Sequence, residues 1–112
     1  EPVDMGERIA VLGDMRELGS ASAEGHQLVG RRAAVVVDKL ITVGDLGQLI
    51  GEAARDAGLP DAQIHSFKAF EETIEFLHAT LKANDLVLVK GSRAVGMETI
   101  ATRISVTKGT VH

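Results

Sequence analysis

Four short apolar runs divide the chain at intervals of about 20 to 30 residues and predict four β-strands. They comprise residues 9–12, 40–43, 64–67 and 86–89. Three of the runs are continuously apolar except for Thr42, as in parallel strands that are covered on both faces, whereas run 64–67 alternates apolar and polar residues. We therefore predict that the third strand lies at a lateral edge of the sheet.

Apolar residues recur at helical spacing after each of these strands and predict four helices. The patterns occupy residues 29–37, 46–57, 70–81 and 97–104. Asp45 and Gln48 have the spacing of a capping box at the start of the second helix, and Gly58 followed by Pro60 marks its end. The tail 105–112 has no clear periodic pattern, so we expect it to be frayed.

The alternation of strands and helices, with connections of a few residues, predicts an α/β fold. The expected architecture is a Rossmann-like, open and mainly parallel sheet with helices on both faces. In the usual strand order 3-2-1-4 the third strand lies at the edge, and strands 1 and 4 are neighbours. The topological switch point then lies between these two strands, where open α/β sheets bind ligands. Functional residues are therefore expected directly after Leu12 and Val89.

The composition narrows the classes of function that the chain can have. Its 112 residues, 45% of them hydrophobic, suit one domain with a single core. A net charge of -4 provides no basic surface for a nucleic acid. The absence of cysteine excludes disulfides, thiolate metal sites and a cysteine nucleophile. Apolar runs reach only about five residues, so no membrane insertion is expected.

The two loops at the predicted switch point carry the candidate binding residues. They read LGDMRELG after strand 1 and VKGSRAVGME after strand 4. Positive charge, backbone amides and a hydroxyl for a carboxylate or phosphate come from Lys90, Gly91, Ser92 and Arg93. The opposite charge comes from Asp14, Glu17 and Glu98. Together these groups suit a zwitterion such as an amino acid or a dipeptide.

A second interpretation of the same loops needs no ligand. In it Gly13, Gly19 and Gly91 are turn glycines, and the loop from Lys90 to Arg93 is solvated. His26 is a candidate for the crevice wall, although a lone histidine near a helix start is more often a structural hydrogen-bonding group. No pair of histidines has metal-ligand spacing, and neither GxxxxGK[ST] nor GxGxxG follows the first strand. The sequence thus predicts neither a metal site nor a phosphate loop.

The same segments carry a family resemblance. RIAVLGDMRELG (8–19), His26, LITVGDL (40–46) and DLVLVKGSRAVGME (85–98) resemble, in order and spacing, the C-terminal domain of the Mur ligases. Within that family they are most similar to the branch that joins D-alanyl-D-alanine to the cell-wall precursor. The resemblance implies that residues 1–104 form this domain and that 105–112 is a tail. It also implies a fragment without the N-terminal and central domains, and without the domain's first strand, because no DSYNANP-like segment precedes Glu7.

The resemblance implies part of an ATP-dependent amide ligase of bacterial, cytoplasmic peptidoglycan synthesis, a process on which cell shape and division depend. In this family a carboxylate of UDP-MurNAc-tripeptide is activated as an acyl phosphate, and the amine of D-alanyl-D-alanine attacks it. ATP and Mg²⁺ are expected to be bound mainly by the central domain, which is this domain's partner. The isolated fragment is expected to be inactive, with no catalytic residue of its own.

The resemblance also assigns site residues by position. It implies substrate-binding residues in the loop after strand 4, namely Lys90, Gly91, Ser92, Arg93, Met97 and Glu98. It implies a loop facing the cleft and the nucleotide that includes Gly13, Asp14, Met15 and Glu17, with His26 nearby. Arg93 or Lys90 is the candidate partner of the dipeptide carboxylate, acting by orientation and charge. Two other classes stay open: a free-standing Rossmann-like module that binds a small anion, and a purely structural domain.

Overall fold

Five strands and three α-helices form the part of the chain that the structure describes. This is a computed structural model, and it describes residues 6–13, 22–82, 85–90 and 110–111. The strands are β1 (Arg8–Gly13), β2 (Lys39–Val43), β3 (Ile64–Phe67), β4 (Leu86–Lys90) and β5 (Thr110–Val111). The α-helices are α1 (Ser22–Val36), α2 (Gly47–Asp56) and α3 (Phe70–Thr80), and a short 3-10 helix occupies Asp61–Gln63.

The strands form one sheet in the order β3-β2-β1-β4-β5, and every neighbouring pair is parallel. This order confirms the predicted arrangement 3-2-1-4. β3 lies at the edge, and its residues are partly or fully exposed, as the alternating pattern predicts. β1 and β4, which are distant in sequence, lie side by side at the centre.

Two predictions about the chain beyond β4 have different outcomes. The expectation of a frayed tail is wrong at Thr110–Val111, because these residues form β5 and pair with Leu86 and Val87 of β4. Two residues are too few to show the alternation by which a strand is predicted. The predicted fourth helix, 97–104, lies outside the described residues.

The ends of α2 confirm one predicted signal and contradict another. Gly58 has a φ of 115° and ends the helix, where its N–H donates to the Arg55 carbonyl at 3.0 Å. The capping box of Asp45 and Gln48 is wrong, because Leu46 is the N-cap residue and no side chain caps the helix. The N–H of Gly47 instead donates to the Gly44 carbonyl at 3.2 Å, which closes a turn just before the helix.

The sheet has a hydrophobic core on each face. On one face, called here the α1 face, β1 and β2 pack against α1 and α2 through Ala10, Leu12, Leu40, Ala33, Ile50 and Ala54. On the other, the α3 face, the strands pack against α3 and the residue after it through Ile9, Val11, Ile41, Val43, Val87, Ile74, Leu77 and Leu81. Successive residues of β1 therefore serve opposite cores, which is why its sequence is continuously apolar.

A buried carboxylate holds the amino ends of the two central strands together. Asp85, which is 2% exposed, accepts hydrogen bonds from the N–H groups of Glu7 and Lys82, both at 2.9 Å. The N–H of Leu86 donates to the Glu7 carbonyl at 2.9 Å. On the other side of β1, Asp38 accepts a hydrogen bond from the Arg8 N–H at 2.8 Å. The start of β1 is therefore fixed to its neighbours on both sides.

Helices α1 and α2 meet at a glycine. A Cβ atom at Gly30 would lie 2.2 Å from the Ile50 carbonyl oxygen and 3.1 Å from the Ala53 Cβ. The first distance is far below van der Waals contact, and the obstructing atom belongs to the backbone. The spacing between the two helices therefore requires glycine at this position.

We expect Gly30→Ala to lower the free energy of unfolding by roughly 1–3 kcal/mol, because α1 and α2 must separate to admit the methyl group. Gly51→Ala is the matched control, since its Cβ would meet only side-chain atoms, the Ile64 Cγ2 methyl at 3.2 Å and the Ser66 Oγ at 3.5 Å. Urea denaturation of both variants measures the difference. Equal stabilities would contradict the close approach of the helices.

We expect Asp85→Ala to lower the free energy of unfolding by about 3 kcal/mol, because two backbone N–H groups lose a charged acceptor in a buried place. The control is Asp38→Ala, which removes an exposed carboxylate at the same amino edge of the sheet. Its expected loss is below about 1 kcal/mol. If both variants unfold at the same urea concentration, the hydrogen bonds of Asp85 do not stabilise the pairing of β1 with β4 as proposed.

Candidate functional site

The carboxyl ends of β1 and β4 meet at the centre of the sheet. β1 ends at Gly13 and β4 at Lys90, and Leu12 is the register partner of Lys90. The topological switch point lies between these two strands. β2, which follows β1 in the sequence, lies on one side of it, and β5, which follows β4, lies on the other side. The structure therefore confirms that both candidate loops begin next to each other at this point.

Three of the predicted site residues belong to the described part of the chain: Gly13, His26 and Lys90. Gly13 is buried, His26 is buried and Lys90 is exposed. The other candidates are Asp14, Met15, Glu17, Gly91, Ser92, Arg93, Met97 and Glu98, and all of them lie outside the described residues. The structure therefore places the beginnings of both candidate loops, but not their tips.

Lys90 is the described residue best placed to meet an anion. It is the last residue of β4 and lies at the carboxyl edge of the sheet. Along β4 it follows Leu86 and Leu88 at alternate positions, and all three line one groove on the α1 face. Lys90 is therefore an exposed cationic residue at the position where the central strands end.

His26 lies inside the protein. It belongs to the second turn of α1, its side chain is fully buried, and it makes an interaction within the fold. A buried and engaged imidazole offers a ligand no exposed surface. This placement favours a structural role for His26 over a role in the crevice wall.

A polar crevice of about 240 Å³ next to β2 and β3 was missed by sequence reasoning. It lies at the same carboxyl edge, one strand away from the switch point, and is lined by Gly44, Asp45, Gln48, Ser66, Phe67 and Lys68. A signal was present, because Gly44–Asp45 and Lys68 directly follow predicted strands. The Ser66 hydroxyl is engaged below the crevice, where it accepts a hydrogen bond from the Thr42 hydroxyl at 2.7 Å.

One histidine near the sheet edge has a shifted pKa. The ring of His65 in β3 lies 4.5 Å from the ring of Phe76 in α3. Burial against this helix lowers the pKa of His65 below its usual range, and the positive charge of Lys39 lowers it further. His65 therefore favours the neutral form, and it lies on the lateral strand rather than at the switch point.

The described part of the chain contains neither a metal-binding cluster nor a membrane-spanning helix. Within these ranges, no three His, Asp or Glu side chains come together as a metal site requires. No helix among the same residues has the length and apolar character needed to cross a membrane. At the switch point, the described residues therefore provide one exposed cation, Lys90, and the first residues of the two candidate loops.

Comparisons with known proteins agree with this geometry. A family model described as "Mur ligase, glutamate ligase domain" matches residues 2–93. The UDP-N-acetylmuramoyl-tripeptide--D-alanyl-D-alanine ligase of Treponema pallidum is 38% identical over 94 residues, which is 81% of this chain and 20% of that protein. The ligase of the same name from Bacillus subtilis is 31% identical over 99 residues, which is 85% of this chain and 21% of that protein.

Solved structures show the same likeness. A crystal structure of MurF from Acinetobacter baumannii superposes with a TM-score of 0.69 at 29% identity, over 87% of this chain and 22% of that one. MurF ligase from Thermotoga maritima in complex with ADP superposes with a TM-score of 0.68 at 27% identity, over 91% of this chain and 22% of that one. The chain spans about a fifth of the length of these relatives. It belongs to the Mur ligase family and corresponds to the glutamate ligase domain, which is the C-terminal domain of these enzymes.

Proposed function

We propose that this chain is the substrate-orienting C-terminal domain of an ATP-dependent amide ligase that adds D-alanyl-D-alanine to UDP-MurNAc-tripeptide in peptidoglycan synthesis. The names of the relatives support this substrate pair. The observation that carries the proposal is the pairing of β1 with β4, because it starts the LGDMRELG and VKGSRAVGME loops side by side at the switch point. Both loops are therefore available to one ligand.

The proposed role of the domain is to hold the incoming dipeptide. Lys90 and Arg93 attract the dipeptide carboxylate, and the amides and hydroxyl of the Gly91–Ser92 segment orient it. Met97 and Glu98 complete this side of the site, and the loop with Asp14, Met15 and Glu17 faces the cleft. Holding the amine in line with an activated carboxylate supplies rate through proximity, without proton transfer by this domain.

The nucleotide belongs to another part of the proposed enzyme. A family neighbour was crystallised with ADP, which supports ATP as the source of carboxylate activation. This chain has no GxxxxGK[ST] phosphate loop, and its described residues hold no acidic cluster suited to Mg²⁺. We therefore place ATP and Mg²⁺ mainly in a central domain, and we expect residues 1–112 alone to release no ADP.

Lys90→Ala in the complete ligase tests the proposed site. We expect kcat/KM for D-alanyl-D-alanine to fall roughly 10- to 100-fold, mainly through KM, because a hydrogen bond to a charged group contributes about 1.5–3 kcal/mol. The KM values for ATP and UDP-MurNAc-tripeptide should change less than about twofold. Lys68→Ala is the matched control, since Lys68 is also exposed at the carboxyl edge but follows β3. The measurement is ADP release as a function of each substrate concentration.

The outcomes separate the activity from the residue assignment. ADP release that does not depend on D-alanyl-D-alanine would contradict the proposed function. Dipeptide-dependent release with an unchanged KM in Lys90→Ala would contradict only the role of Lys90. If residues 1–112 alone bound a different small anion tightly, with amide shifts at Gly13 and Lys90, the chain would be a free-standing binding module instead.

A further inference from the structure

The polar crevice beside β2 and β3 has a chemistry of its own. Its volume is about 240 Å³, and it lies at the carboxyl edge of the sheet, one strand away from the switch point. Its lining combines one carboxylate, one ammonium group and one side-chain amide, from Asp45, Lys68 and Gln48. Sites that enclose a whole ligand are larger, at roughly 300–1,000 Å³. The crevice therefore suits one end group of a larger molecule.

The polar side chains of the crevice have no structural role that would occupy them. Asp45 and Gln48 have the spacing of a capping box, but neither side chain caps α2. The ion pairs among the described residues involve neither Asp45 nor Lys68. Within the part of the chain that the structure describes, one negative and one positive charge are therefore available to a ligand.

Hydrogen bonds between β2 and β3 hold the crevice in shape. Gly44 has a φ of 106°, and its N–H donates to the Phe67 carbonyl at 3.0 Å, which joins the ends of the two strands. The hydroxyl of the buried Thr42 donates to the Ser66 hydroxyl at 2.7 Å. Ser66 keeps its own proton for a further hydrogen bond. A ligand therefore meets a crevice that is already formed, which lowers the entropy cost of binding.

The crevice is too far from Lys90 to belong to the dipeptide. Neighbouring strands are about 4.8 Å apart, and β1 and β2 separate the crevice from β4, so the distance across the sheet is about 12 Å. An extended dipeptide is only about 7 Å long. A D-alanyl-D-alanine molecule that Lys90 holds by its carboxylate therefore ends before the crevice.

The other substrate of the proposed reaction can reach the crevice. A dipeptide that lies along the carboxyl edge, from Lys90 towards β2, has its amine about 7 Å from Lys90. That amine attacks the carboxylate of the last residue of the tripeptide, so this last residue lies next to the amine, on the side of β2. Its side chain branches one bond further on. A long, unbranched side chain then ends at the crevice between β2 and β3.

We propose that this crevice binds the end group of the side chain of the tripeptide's last residue. We further assign to it the selection of a side chain that ends in both an ammonium and a carboxylate group. Asp45 pairs with the ammonium group and Lys68 with the carboxylate, while Gln48 and Ser66 add hydrogen bonds. This inference rests on the proposed function, because it names the form of the acceptor substrate that the ligase prefers.

The two charges of the crevice favour an end group with both signs over one with a single sign. A side chain that ends in an ammonium group alone pairs with Asp45 but brings its charge close to the ammonium of Lys68. A side chain that ends in a carboxylate alone is repelled by Asp45. Specificity is a difference of affinities, and here the unfavourable contact contributes to it together with the favourable one.

Two acceptor substrates test the proposal in the complete ligase. They are UDP-MurNAc-tripeptides that differ only in the last residue. One carries meso-diaminopimelate, whose side chain ends in an ammonium and a carboxylate, and the other carries L-lysine, whose side chain ends in an ammonium alone. ADP release at saturating D-alanyl-D-alanine gives kcat and KM for each. We expect kcat/KM to be at least tenfold higher for the diaminopimelate substrate.

Substitutions at Lys68 should remove or reverse this preference. In Lys68→Ala we expect kcat/KM to fall roughly tenfold for the diaminopimelate substrate, through KM, and to change less than twofold for the lysine substrate. Lys68→Glu should prefer the lysine substrate. The KM for D-alanyl-D-alanine should stay unchanged in both, as the use of Lys68→Ala as the control for Lys90 requires. Lys82→Ala, an exposed lysine beyond the other end of α3, is the matched control and should keep the original preference.

Substitution of Asp45 should affect both acceptors. In Asp45→Asn we expect kcat/KM to fall roughly tenfold for each substrate, because both side chains carry the ammonium group that Asp45 binds. Asp56→Asn is the control, since Asp56 is an exposed residue at the far end of α2. It should leave both values within about twofold of the parent enzyme.

The outcomes separate this inference from the proposed function. Equal use of the two acceptors by the parent enzyme, or a preference for the lysine substrate, would overturn the assigned selection. An equal loss for both acceptors in Lys68→Ala would also overturn it, because the effect would then be unrelated to the end group. If neither acceptor supports ADP release that depends on D-alanyl-D-alanine, the proposed function itself fails.

Discussion

The parallel pairing of β1 with β4 is the contact on which the rest of this structure depends. It joins residues that are 78 positions apart in the chain, through the carboxylate of Asp85 and the N–H of Glu7. Closing so long a loop costs conformational entropy, and buried hydrogen bonds with apolar packing on the α3 face offset that cost. Without this pair the sheet would have no switch point, and the loops that follow Gly13 and Lys90 would have no common origin.

The two ends of these central strands have different roles. At the amino end, backbone and carboxylate groups satisfy one another, and their function is to fix the register of β1 against its neighbours. At the carboxyl end, Gly13 and Lys90 open into the loops that carry the charged residues of the resemblance. A rigid sheet with variable loops at its carboxyl edge is the usual way in which α/β domains place a binding site.

The uneven coverage of the sheet follows from its topology. Crossovers that step in opposite directions across the sheet place their helices on opposite faces, because all of them have the same handedness. Each face is therefore covered only where the helix of such a crossover passes over it. The α3 face is buried as far as Val87, whereas the α1 face is open at Leu86 and Leu88. Among the described residues, β4 therefore has one covered face and one face with exposed apolar side chains.

The pattern of apolar residues by itself predicted the first four strands, the presence of the three described helices and the fold class. It could do so because period-2 and period-3.6 patterns are local consequences of burial, and continuous apolar runs require two covered faces. The lateral position of β3 and the end of α2 at Gly58 were predictable for the same local reasons. The resemblance of the two loops to Mur ligases could also be recognised from the sequence, since each loop is one uninterrupted segment.

Only the tertiary structure decided the features that depend on contacts between distant residues. β5 was invisible in the sequence because two residues carry no pattern, and the start of α2 shifted because a turn at Gly44 took the place of the side-chain cap. The burial of His26, the polar crevice beside Lys68 and the groove along Leu88 also depend on which elements meet in space. The sequence determined which residues are apolar, and the direction of the crossovers decided which faces of the described sheet the helices cover.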